Sequence, residues 1–128
     1  MSNSLNREGS LKRRNVVQEK SYAFAVRIVR MYQHLSSEKR AFVLSKLVLR
    51  SGTSVGANVE EAIGGLSKKD FAARMGIAYK EARETSYWLR LLNDSGYIDD
   101  AAFASMHKDC EELLKLLYTI VQSAKRDA

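Results

Sequence analysis

The residues of this chain that could do chemistry are few, and most lack the company chemistry needs. His107, Cys110 and Glu111 fall within one helical turn and could offer three metal ligands. No fourth donor accompanies them, and a closed tetrahedral site takes four. Bundle metal centres use Glu-x-x-His pairs on facing helices, whereas this chain has Glu81-x-x-Glu84 and no Glu-x-x-His. Arg27 and His34, seven residues apart, are the types a nuclease uses, imidazole for proton transfer and guanidinium to hold phosphate. In an arginine-rich stretch that spacing arises easily by chance. No Ser/His/Asp or Cys/His arrangement can be argued. The Ser51–Gly56 run has no Lys-Ser/Thr after its glycines and no strand before them, so it does not read as a phosphate loop. The chain therefore reads as non-enzymatic, with no metal or cofactor.

Charge carries more. The net charge is +6, and residues 1–50 alone hold eleven Lys/Arg against three acids, while 51–98 balance and 99–128 are net −2. A one-sided basic surface is the usual footprint of a polyanion, and nucleic acid, RNA first, is the expected partner. The candidate contacts are Lys12, Arg13, Arg14, Lys20, Arg27, Arg30, Lys39 and Arg40. The structural alternative is a solvated face that only keeps the protein in solution. Tyr22, Tyr79, Tyr87, Tyr97 and Tyr118 read as wedges between helices rather than base-stacking platforms.

These residues must be positioned by helices. The chain has 128 residues and no proline, and no sustained period-two alternation appears, so strands and hairpins lack their turn chemistry. One cysteine rules out an internal disulfide and suits a reducing compartment. No apolar run is long enough to span a bilayer, the polar-then-basic start offers no signal peptide, and a cytoplasmic protein is expected.

The organising stretch is Phe71–Leu92, where Phe71, Met75, Ala78, Ala82, Thr85, Leu89 and Leu92 form a seam. A second line, through Ala73, Ile77, Glu81, Glu84, Trp88 and Leu91, predicts a central rod touching more than one neighbour. A first helix is expected over about Val16–Leu35. A second, capped by Ser36 or Ser37, runs from about Glu38 to Gly64 and stays helical through its small residues. Ser67 and Asp70 resemble a capping box opening the third, and Asp99 or Asp100 opens the fourth. The fold class is all-α, an antiparallel up-down-up-down four-helix bundle over residues 15–124. Residues 1–14 are expected as a flexible basic tail and residues 125–128 as a frayed end.

With a turn near Gly65-Leu66, facing positions on the second and third helices sum to about 131, because both rise equally per residue. That register sets Arg50 level with Glu81 and Asn58 level with Arg74. Arg50 is expected to pair with Glu81 or Glu84 in a partly buried network with Ser51 and Ser54, a role in fixing register.

The run RSGTSVGANVEEA followed by KKDFxxxxGIAYKEAxETxYWLxLL resembles the four-helix-bundle proteins encoded by intervening sequences in bacterial large-subunit ribosomal RNA genes, sometimes grouped as a ribosomal-protein family. The matching positions are Arg50, Ser51, Ser54, Asn58, Glu61, Phe71, Ala78, Glu81, Glu84, Trp88 and Leu89. The resemblance implies a homopentamer around a central channel and no catalysis. It is similar also to the accessory proteins of diversity-generating retroelements, basic pentamers that bind nucleic acid and a reverse transcriptase. A competing expectation is thus a scaffold that recruits a protein partner such as a polymerase. The Arg27/His34 pair loosely resembles an element of small helical ribonucleases, and no other part of that family is visible.

Overall fold

A computed structural model describes residues 2–127, with side-chain surroundings for residues 8–126. Four helices follow one another: α1 (Ser2–Ser37), α2 (Phe42–Ile63), α3 (Lys68–Asp94) and α4 (Asp100–Asp127). Each packs on its neighbours in order, and α4 closes on α1 along the thinnest contact of the four. This is the antiparallel up-down-up-down bundle.

α3 is held by the seam its spacing predicts. Met75, Ala78, Ala82, Thr85, Leu89 and Leu92 are all buried. They meet Val48, Val55 and Val59 of α2, Phe24, Ile28 and Leu35 of α1, and Met106, Leu113 and Leu117 of α4 in one core. Ser67 caps α3, its hydroxyl accepting from the Asp70 amide at 3.0 Å. At the other end Gly96 takes φ +84°, and the Tyr97 amide returns to the Leu92 carbonyl at 2.9 Å. A residue with no Cβ makes that left-handed turn without strain. Asp99 then caps α4, its carboxylate accepting from the Ala102 amide at 2.7 Å.

α2 runs unbroken through Ser51–Gly56, with Ser51, Gly52, Val55 and Gly56 buried. Small residues there let α1 approach closely. An ideal Cβ on Gly56 would stand 3.2 Å from the carbonyl oxygen of Ser21.

Three expected boundaries are corrected. The segment expected as a tail is helical, since α1 begins at Ser2. Arg14 lies over the Phe71 ring, 4.2 Å from its centroid, and Val17 is fully buried, so the first helix has anchors well before Phe24. The C-terminal end stays helical to Asp127, with Lys125 and Arg126 in the last turn where they complement the helix dipole. Ser36 and Ser37 do not cap α2. Their hydroxyls turn back to the Tyr32 and Gln33 carbonyls at 2.8 and 2.6 Å, extending α1, and α2 starts after a turn in which Arg40 adopts φ +53°.

Candidate nucleic-acid interface

The eight cations singled out from the sequence all lie on α1 or the turn after it, but they do not form one patch. With 1.5 Å of rise per residue, Arg13 and Arg30 are separated by about 26 Å along the rod. Lys20 and Arg27, between them, are already occupied. Lys20 pairs with Glu112 across the α1–α4 contact, and that hydrogen bond and charge hold its ammonium pKa above the usual lysine value. Arg27 donates to Asp109 at 2.5 Å and to the Ser105 hydroxyl at 2.8 Å. These two basic residues therefore tie α1 to α4 where apolar contact is thinnest. Their charge is largely matched.

The other six of the eight lie toward the two ends of α1, while Arg83, Arg90 and Lys115 line a groove midway along α3 and α4. At one end Arg13 and Arg14 of α1 meet Lys68 of α3, with Ser123 and Ala124 of α4 completing the wall. The topology brings Lys69, Lys125 and Arg126 to the same end, so three helices contribute there. At the opposite end Arg30, His34 and Lys39 line an open groove with Tyr97 and Asp99 of the α3–α4 turn, and Arg27 forms its inner edge. Lys12, Lys39 and Arg40 are exposed.

The predicted network is placed differently from its expectation. Arg50 does pair with both predicted carboxylates, Glu84 at 2.5 Å and Glu81 at 3.6 Å; its own side chain is 56% exposed while that of Glu81 is 21% exposed, so the network is partly buried on the glutamate side only. Ser51 bonds across to Thr85 instead, at 2.9 Å and fully buried. Asn58 turns to the carbonyl of Ser54 at 2.9 Å, and it is Glu61 that meets Arg74, at 3.0 Å. Arg50 with Glu81 keeps the expected register, while the shorter contacts, 50 with 84, 51 with 85 and 61 with 74, sit about one turn beyond it. Side chains lean toward the N-terminus of their own helix, so on antiparallel helices the two leanings add.

The catalytic candidates do not assemble. Cys110 points into the core, its thiol 3.3 Å from the Ala82 carbonyl, and burial pushes its pKa up to about 12. His107 turns the other way, its Nε2 3.0 Å from the Ser86 hydroxyl and 3.4 Å from Glu111. No group of three metal-ligating side chains converges among the described residues. Ser86, His107 and Glu111 have the types of a hydrolytic triad, but both partners sit on the same ring nitrogen, so the carboxylate does not orient the base from behind. Sequence reading missed Ser86 and the groove it shares with Arg83, Arg90 and Lys115. The spacing of His107 and Glu111 gave the only hint of it.

A four-helix bundle with cations of α1 and α3 converging at one end is the class this geometry defines. The chain belongs to the 23S rRNA-intervening sequence protein family, which matches it over residues 13–119. It is also similar to a crystal structure from Bacteroides thetaiotaomicron VPI-5482, described as a protein of unknown function from the S23 ribosomal protein family. The two are 48% identical, with 86% of this chain and 98% of that one covered at a TM-score of 0.84. No curated protein matches the chain. None of the described helices is long and apolar enough to cross a membrane.

Proposed function

We propose that this protein is a non-enzymatic, self-associating cytoplasmic bundle that binds RNA, or another nucleic acid, through its phosphates. The observation that carries the reading is the gathering of unmatched cations from α1, α3 and α4 at one end of a +6 chain. Cations so placed meet successive phosphates and release counterions, giving affinity without sequence preference. A ring of such chains, a pentamer as the family resemblance implies, multiplies weak contacts by avidity. The apolar groove of Ala72, Ala73, Gly76, Ile77 and Tyr118 between α3 and α4 supports self-association, with Ile77 and Tyr118 exposed. The same groove favours a second reading, recruitment of a protein partner such as a polymerase. A nuclease using His34 has less support, because its Arg27 is already bonded to Asp109 and Ser105.

The test is RNA binding over a salt series combined with mass-resolved size exclusion. A steep, sequence-independent loss of affinity with salt is expected, weakened by charge reversal at Arg13 and Lys69. Affinity unchanged by salt would overturn the reading, and a protein recovered after nuclease treatment would favour recruitment.

A further inference from the structure

At the α1 N-terminal end of the bundle, Arg13, Arg14 and Lys68 wall a small, half-enclosed cavity of about 80 Å³ together with the hydroxyl-bearing Ser10 and Ser123. No carboxylate lines it among the described residues. None of the three cations forms an ion pair among the described residues. Arg14 is fixed by the Phe71 ring beneath its guanidinium, and its Nε is buried with no hydrogen-bond partner. One fact thus needs an explanation: like charges from two helices converge with no neutralising group among the described residues.

One tetrahedral oxyanion answers this convergence. Its oxygens accept from guanidinium, ammonium and hydroxyl donors at once, and charge-assisted bonds of this kind are the strong ones. We propose that this cavity is a binding site for a single phosphate, either the free ion or a terminal phosphate monoester. An internal phosphodiester carries two ester substituents and does not fit a half-closed cavity of this size, whereas a monoester keeps three free oxygens. The inference does not need the polyanion reading, since a lone inorganic phosphate satisfies it.

The probe is inorganic phosphate, titrated calorimetrically into the full chain at constant ionic strength, with matched chloride as the blank. Saturable binding of one phosphate per chain is expected, weakened about tenfold or more by Lys68→Gln and by Arg13→Gln. Lys68 is exposed, so its substitution leaves folding intact. Absence of saturable binding, or binding that both variants leave unchanged, overturns the site. A second arm compares a short oligoribonucleotide with and without a terminal phosphate. Tighter binding of the phosphorylated strand, lost in Lys68→Gln, assigns the site to strand ends. Equal binding of the two strands, with inorganic phosphate still bound, assigns it to the free ion. Because the calorimetric arm contains no RNA, it can succeed where the salt series fails, and the reverse.

Discussion

Gly52 of α2 stands against Ile28 of α1 with no room for one added carbon. An ideal Cβ there would lie 2.7 Å from Ile28 Cγ1 and 2.9 Å from both Cδ1 and Cγ2. Both branches of Ile28 crowd the position, so no single rotamer change of Ile28 relieves it. Gly52→Ala is expected to lower stability by about 1–2 kcal/mol net, overpacking outweighing the gain in helix propensity. Urea denaturation measures it, and adding Ile28→Ala should cost less in that background than in the wild type.

Gly76 is the opposite case. Nothing lies within 4 Å of where its Cβ would be. Gly76→Ala should stabilise the isolated subunit by up to about 1 kcal/mol. Gly76 lines the apolar α3–α4 groove, so if that groove is a subunit contact the same change weakens assembly. A higher melting temperature with a lower mass in size exclusion is the expected pair of results.

Ser51 and Thr85 outrank Arg50 in holding α2 to α3. Thr85→Val keeps the shape and removes the donor to a fully buried hydroxyl, a loss of about 1–3 kcal/mol. Arg50→Ala breaks an exposed pair with Glu84 and takes the cation from a half-buried Glu81, and should cost about 1 kcal/mol. Chemical denaturation of the two variants side by side checks the order.

Asp109 restrains Arg27. Asp109→Asn removes a negative charge and frees a guanidinium on the basic helix, so under the proposed RNA-binding function affinity at low salt should rise several-fold and the salt slope should steepen. The α1–α4 contact should loosen slightly, seen as faster amide exchange in that helix pair.

Cys110 gives a pH-dependent signature. Burial raises its pKa to about 12, against about 8.5 for an ordinary thiol. The native thiol therefore keeps a proton that the unfolded chain surrenders. Its contribution is complete below about pH 8.5 and is lost as pH rises toward 12. Cys110→Ala, less stable at neutral pH through the cavity it leaves, should show a shallower fall in melting temperature over that window. In the wild type, alkylation of Cys110 should wait for unfolding.

Helix periodicity, the absence of proline and the punctuation at Gly64-Gly65, Ser67 and Asp99 determined the bundle, because each is a local property of consecutive residues. The α3 seam is legible for the same reason: burial of Met75, Ala78, Ala82 and Leu89 follows from spacing alone. Net charge and its bias toward α1 were equally plain. What the sequence could not hold is which cations are free. Lys20 and Arg27 are matched by Glu112 and Asp109, partners more than eighty residues away, and Lys68 gained a place beside Arg13 only because α3 begins there. Ion pairing, register and the convergence of like charges depend on distances between helices. Those distances are set by how the four helices pack together, and only the folded chain decides that.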